Sequence, residues 1–192
     1  AKGDNYSQGG ETAKGWITHF WDQPYNHNDN ISAQADPKQA YIIALGVNEI
    51  NKKMPVGQMA TDINLQNYLR NADTFAGNYA GIIQRMKSIQ PDAFFFLVTI
   101  PDNKGDARQP YNDVIRQMPS LFSRTYLLDI DRYGPSYKPG SPFRERYFLG
   151  NHLNAAGYQY TAWMFLTYID HIIRTHPRDF DQVAFIGTHY KY

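Results

Sequence analysis

Short apolar runs alternate with longer amphipathic segments along this sequence. Runs at 39–45 (QAYIIAL), 93–100 (AFFFLVTI) and 126–130 (YLLDI) are dominated by apolar and aromatic residues. Short, nearly continuous apolar runs of this kind are typical of strands buried on both faces of a parallel sheet. A further run at 183–186 (VAFI), stopped by Gly187, is a fourth candidate strand.

The segments between these runs carry the three- and four-residue spacing of amphipathic helices. Segments 68–89 and 154–175 each place their apolar residues on one face. In the second segment this stripe consists of Tyr158, Ala162, Phe165, Ile169 and Ile172. Asn154 can cap its start, and Pro177 follows its end. Helices are also predicted at 11–21 and at 112–122, where Pro119 should end or kink the helix. Loops are predicted at 24–37, 52–66, 102–110 and 132–151.

The alternation of strands and helices predicts a single α/β domain over residues 1–192, with a mostly parallel sheet between helical layers. Ligands of such sheets bind beyond the carboxyl ends of the strands. Residues that directly follow a predicted strand are therefore the first candidates for a functional site.

Composition and charge narrow the function classes. The chain of 192 residues has 19 basic and 18 acidic residues, so no basic surplus indicates binding to nucleic acid or to an anionic membrane. It has no cysteine, which excludes disulfides, thiolate metal sites and a cysteine nucleophile. No apolar run is long enough to span a bilayer. We favour an extracellular or periplasmic location over a cytoplasmic one.

Three polar positions stand at predicted element ends. Asn48 follows the first strand, His152 precedes the last long helix, and Gly10 precedes the first helix. Each has an ordinary structural interpretation: Asn48 bonding its own turn, His152 bonding backbone, and Gly9 and Gly10 forming a turn. Each also has a chemical one, as an amide donor, a proton-transfer group and a backbone anion site. The other histidines show no metal-ligand spacing and are expected on surfaces: His19, His27, His171, His176 and His189.

Taken together in this order, the three stretches resemble the SGNH (GDSL-like) hydrolase family. Residues 5–12 (NYSQGGET) are similar to its second block, with Gly10 at the glycine position. Residues 46–49 (GVNE) are similar to its third block, with Glu49 where aspartate is usual, and 151–158 (NHLNAAGY) to its fifth, with His152. The resemblance implies a doubly wound, flavodoxin-like α/β/α fold.

The resemblance also implies a chemistry. Asn48 and the backbone N–H of Gly10 would form the oxyanion hole of an ester hydrolase, and His152 would be the base for a serine nucleophile. The substrate would be a small-molecule or carbohydrate ester, such as one carrying an acyl or acetyl group on a sugar. No metal or cofactor is required. The alternative is a non-catalytic carbohydrate-binding or interaction domain on the same fold.

Two features depart from the family pattern. The first block of the family, Gly-Asp-Ser after a strand, is missing. We therefore expect that strand and its serine upstream of Ala1, on an N-terminal fragment of the same protein. Ser7 is the alternative nucleophile. Leu149 stands where an aspartate usually orients the histidine. Candidate replacements are Glu145, Asp129, Asp131 or a backbone carbonyl.

Overall fold

The computed structural model describes residues 3–24 and 30–180. Within these residues five strands and nine α-helices follow one another along the chain, with two short 3-10 helices at Tyr68–Arg70 and Asp102–Arg108. The α-helices and strands are, in chain order, α1 (Ala13–Phe20), β1 (Ala40–Ile43), α2 (Val47–Asn51), α3 (Met59–Asp62), α4 (Phe75–Ile89), β2 (Phe94–Val98), α5 (Gln109–Leu121), β3 (Thr125–Leu128), α6 (Ile130–Tyr133), α7 (Pro142–Tyr147), β4 (Phe148–Leu149), β5 (His152–Leu153), α8 (Ala155–Thr175) and α9 (Pro177–Phe180).

The main sheet has the order β1-β2-β3, and both pairings are parallel. Its three strands lie within the three apolar runs or one residue beyond them, which confirms the predicted α/β class with a parallel sheet. The fourth run, 183–186, lies outside the described residues. β4 and β5 form a separate antiparallel hairpin of two residue pairs.

One face of the sheet is covered by α1, α4 and α5. Phe95 and Leu97 of β2 are completely buried in this layer, and Tyr41 of β1 stacks on Phe95 with ring centroids 5.3 Å apart. The helix predicted at 68–89 begins only at Phe75. Its start is fixed by Thr74, whose hydroxyl accepts a hydrogen bond from the backbone N–H of Gly77 at 3.2 Å.

The carboxyl end of β2 is fastened to α5. Asn112 is fully buried, and its side chain accepts a bond from the N–H of Ile100 at 2.7 Å and donates one to the carbonyl of Ile100 at 2.9 Å. α5 begins earlier than predicted and continues two residues past Pro119. Pro119 lies in the last turn, so the one lost backbone hydrogen bond does not break the helix body.

The opposite face of the sheet is covered by α8, which packs Phe165 and Ile172 against Phe94 and Phe96 of β2. Asn154 caps this helix as predicted, accepting a bond from the N–H of Gly157 at 2.8 Å. The predicted apolar stripe is only half buried, however. Tyr158 and Ala162 are exposed, and so are other large apolar residues of α8, Trp163, Leu166 and Ile173.

We call Trp163, Leu166 and Ile173 the uncovered face of α8. The sheet has a similar gap at its edge. β1 pairs with β2 on one side, and no strand among the described residues pairs with its other side. Ile42 of β1 is in register with Phe96, so it points to the face that α8 covers, yet it is 53% exposed. Among the described residues no helix combines the length and apolarity needed to cross a membrane.

Candidate active site

A cavity of about 940 Å³ opens where the parallel strands end. Its wall includes Ala44 just after β1 and Pro101 after β2, which is the position expected for a ligand site in a parallel sheet. Gly10, Asn48 and His152 all line this cavity. Three segments far apart in the sequence thus meet at one site.

Asn48 is held at the cavity by a sharp turn and by one cross-chain bond. Gly46 ends the β1 segment with a φ of +122°, and a side chain there would collide with that of Ile100. The Asn48 amide donates to the backbone carbonyl of Glu11 at 2.8 Å. The asparagine therefore does not bond its own turn; it ties α2 to the segment that carries Gly10. Its amide has a second N–H, for which no acceptor lies among the described residues.

Gly10 lies in the exposed turn that leads into α1. Its φ of +82° is in the left-handed region that favours glycine. Its carbonyl accepts a bond from the Lys52 ammonium at 3.1 Å, and its N–H donates to no acceptor within the described parts of the chain. That N–H is available to a ligand.

Glu49 is a buried residue of α2 that holds this helix against α1, a role that the sequence did not reveal. Its carboxylate is completely buried and accepts the N–H of Ala13, in the first turn of α1, at 2.6 Å. Burial raises the pKa of Glu49, although several backbone N–H groups partly oppose the shift. Its second oxygen has no hydrogen-bond partner among the described residues. Glu49 and Asn48 are adjacent in α2, so both bonds fix the same two elements against each other.

His152 stands on the short β4–β5 hairpin, directly opposite Leu149. Gly150 opens the two-residue turn between them with a φ of +63°. The His152 side chain is exposed, and no side chain or backbone group of residues 3–24 and 30–180 is hydrogen-bonded to its ring. Leu149, at the usual aspartate position, is 78% exposed.

Two of the candidate orienting carboxylates are engaged elsewhere. Asp129 accepts two bonds from Arg116, at 2.9 and 3.0 Å, and Asp131 accepts bonds from Arg116 and Arg108. Neither lines the cavity. Burial alone would raise the pKa of Asp131, but the two guanidinium groups outweigh it and hold that pKa below its ordinary value. Glu145 is exposed on α7 and makes no contact with the imidazole.

Ser7 also lies away from the chemistry. Its hydroxyl donates to the side chain of Asn5 at 2.6 Å, its backbone N–H bonds the same oxygen, and it does not line the cavity. Among the described residues that line the cavity there is no serine. Nor do the described residues contain a group of three or more side chains that could hold a metal ion.

The rest of the cavity wall comes from segments that the sequence predicted only as loops. The segment 132–151 contains α7 and β4 and contributes Tyr137, Arg144 and Phe148, while the 3-10 helix after β2 contributes Lys104. Their position after strand ends was the only signal that could have found them.

Comparison with known proteins identifies the family of the chain. The model of the GDSL-like lipase/acylhydrolase family matches residues 2–160. The matched range holds Gly10, Asn48 and His152, and the resemblance drawn from the sequence motifs is thereby confirmed. No curated protein and no solved structure matches the chain significantly.

Proposed function

Because this chain belongs to the GDSL-like lipase/acylhydrolase family, we propose that it hydrolyses a carboxylic ester at the cavity lined by Gly10, Asn48 and His152. The observation that carries the proposal is the meeting of these three residues in one cavity. Two hydrogen-bond donors and one imidazole are the groups that acyl transfer needs besides a nucleophile.

The free donors support an oxyanion hole. The tetrahedral intermediate of ester cleavage carries a negative oxygen, and the N–H of Gly10 and the second amide N–H of Asn48 would donate to it. One such donor is typically worth about 3 kcal/mol of the barrier. The bond from Asn48 to the Glu11 carbonyl keeps the amide from rotating away, so the donor is positioned before substrate arrives.

His152 is the general base in this proposal. It takes the proton of a serine hydroxyl and later delivers it to the leaving alkoxide. With Leu149 opposite it, no carboxylate of the described residues holds the ring, so a serine–histidine dyad is the arrangement that the geometry favours.

The test compares histidine variants of the full-length protein, with all residues encoded upstream of Ala1. Turnover of p-nitrophenyl acetate should fall about 10²–10⁴-fold in His152→Ala, the range for loss of a general base. His171→Ala is the matched control, because His171 is exposed on α8 and does not line the cavity. Undiminished turnover in His152→Ala, or an equal loss in the control, would refute the assignment.

We also propose that the nucleophile is a serine on a strand upstream of Ala1 that pairs with the open edge of β1. Three observations support this location. Among the described residues no serine lines the cavity, and Ile42 is 53% exposed at the unpaired edge of β1. The helix that follows β1 carries the proposed oxyanion-hole residue Asn48. A strand added at that edge would end beside Asn48.

A fluorophosphonate probe, which labels activated serines covalently, tests this second proposal. Peptide mapping of the labelled full-length protein should place the adduct upstream of Ala1, and the adduct should be lost in His152→Ala. An adduct on Ser7 would overturn the location of the nucleophile. Absence of labelling would favour the alternative function, a carbohydrate-binding or interaction domain. That alternative is also supported by the aromatic cavity wall of Tyr137, Phe148 and Tyr158 and by the lack of a serine among the described lining residues.

A further inference from the structure

The charges that line the cavity all have one sign. Among the described residues that line the cavity, the charged side chains besides His152 are two cations, Lys104 and Arg144, and none is an aspartate or a glutamate. Elsewhere in the described chain, cations such as Lys14, Lys38 and Arg116 are paired with carboxylates. The cavity is therefore an electropositive place in a nearly neutral molecule.

The Arg144 guanidinium is held in place by hydrogen bonds to carbonyl groups, which leave its positive charge unpaired. Its guanidinium donates to the carbonyls of Gly150, at 3.1 Å, and Tyr137, at 3.4 Å, and lies over the Phe148 ring at 4.6 Å. Within the described residues it forms no ion pair. A guanidinium has five N–H donors, so most of them stay available in a fixed plane that suits bidentate binding of an anion.

Lys104 has a similar environment in the same cavity. Its ammonium donates to the Asn51 side chain at 2.9 Å and pairs with no carboxylate in the part of the chain that the structure describes. The nearby acid Asp102 points to other partners: it accepts the Ser136 hydroxyl at 2.7 Å and the N–H of Tyr137 at 2.6 Å. It also lies 4.0 Å from the Lys138 ammonium, so its ion pair is with Lys138 and not with Lys104.

Each cation is bonded to a residue that is close in sequence to one of the proposed catalytic groups. Arg144 bonds Gly150, two residues before His152, and Lys104 bonds Asn51, three residues after Asn48. Because His152 would protonate the leaving alkoxide, Arg144 stands on the side of the alcohol portion of the ester. The aromatic residues Tyr137, Phe148 and Tyr158 add flat apolar surface to the same wall.

We infer that the cavity selects an ester whose alcohol portion carries an anionic group, and that Lys104 and Arg144 are the residues that recognise it. An acylated acidic sugar, such as an O-acetylated uronic acid, has both the charge and the ring face that this wall fits. This inference rests on the proposed ester hydrolysis and adds the substrate class.

The test uses two substrates that differ only in charge: a methyl O-acetyl-glucuronoside with a free carboxylate, and its uncharged carboxamide. Acetate release by the full-length protein gives the ratio of kcat/KM for acid over amide. We expect this ratio to be about tenfold, equivalent to roughly 1.4 kcal/mol, and to fall toward one in Lys104→Gln and in Arg144→Gln. It should also fall in 0.5 M salt, which screens exposed charges.

Arg132→Gln is the matched control, because Arg132 is exposed on α6, forms no ion pair within the described residues and does not line the cavity. It should leave the ratio unchanged. A wild-type ratio of one, or an equal fall in the control, would overturn the inference while p-nitrophenyl acetate turnover could still uphold the hydrolase.

A binding measurement keeps the inference testable if no ester is cleaved. Calorimetric titration with the deacetylated methyl glucuronoside and its carboxamide reads the charge preference directly. Tighter binding of the acid that is lost in Arg144→Gln supports the anionic substrate class, and equal binding of acid and amide refutes it.

Discussion

Individual residues at the site differ in how far the sequence reveals them. Asn48 and His152 stand next to predicted element boundaries, in stretches that resemble the family's blocks in the family's order, so both could be singled out from the sequence. Glu49 could not. It looks like an exposed residue of a short helix, and only the fold shows its carboxylate buried against the N–H of Ala13 at 2.6 Å.

Glu49 should make stability depend on pH. Burial raises its pKa in the folded state, so the unfolded chain ionises first as pH rises above about 4. Its contribution to the free energy of unfolding is thus full below that pH and is lost as pH rises through the folded pKa. Chemical denaturation of wild type and Glu49→Gln between pH 4 and 8 should show the wild type losing stability relative to the variant.

One outcome of this comparison would contradict the prediction. A difference in the free energy of unfolding that stays constant across this range would show that Glu49 titrates alike in the folded and unfolded chains. Glu145→Gln, an exposed carboxylate on α7, is the control and should show no such trend.

At the scale of elements, β3, α5 and α6 are joined by a buried ion cluster. Arg116 of α5 bridges Asp129 and Asp131, whose side chains are 7% and 5% exposed. Arg116→Ala would leave both carboxylates buried without that partner. We expect a loss of about 3 kcal/mol at pH 7, the cost typical of breaking a buried pair from one side.

Arg174→Ala is the matched control, since Arg174 and its partner Asp170 are 75% and 59% exposed and such surface pairs contribute about 1 kcal/mol or less. The effect of Arg116→Ala should shrink as pH falls below about 4, because the lowered pKa of Asp131 provides stability only where the carboxyl is ionised. Thermal or urea unfolding measures both variants. Equal losses in the two would contradict the cluster's role.

Elements were more predictable than their ends and their partners. The strands could be predicted because short runs such as AFFFLVTI leave no polar face, and α8 because Asn154 and Pro177 mark its limits. The start of α4 depends on one hydroxyl bond at Thr74, and α7 lies in a stretch rich in glycine and proline. Such features depend on tertiary contacts that periodicity does not encode.

At the scale of the whole molecule, two surfaces lack a packing partner among the described residues, namely the uncovered face of α8 and the open edge of β1. Leu166 is 67% exposed and Trp163 61%, on a helix whose adjacent side is buried against the sheet. Exposed apolar residues gathered on one stripe mark a surface that another segment covers. The proposed upstream strand predicts that this face is buried in the full-length protein.

Leu166→Asp in the full-length protein tests that prediction. If the face is covered, the substitution buries a charge in place of an apolar side chain and should lower the free energy of unfolding by about 2 kcal/mol or more. His171→Asp, exposed on the same helix but about 140° around its axis from Leu166, should have little effect. Two variants as stable as wild type would mean that the face stays bare.

The β4–β5 hairpin, which holds His152 by only two residue pairs, has a consequence for heat tolerance. A two-stranded ribbon this short is marginal by itself, whereas the sheet that holds Asn48 has a fully buried central strand. On warming, the hairpin that carries His152 should therefore lose its structure before the core unfolds. We expect esterase turnover to be lost reversibly at a temperature several degrees below the calorimetric Tm, and coincident loss of both would show that hairpin and core melt as one unit.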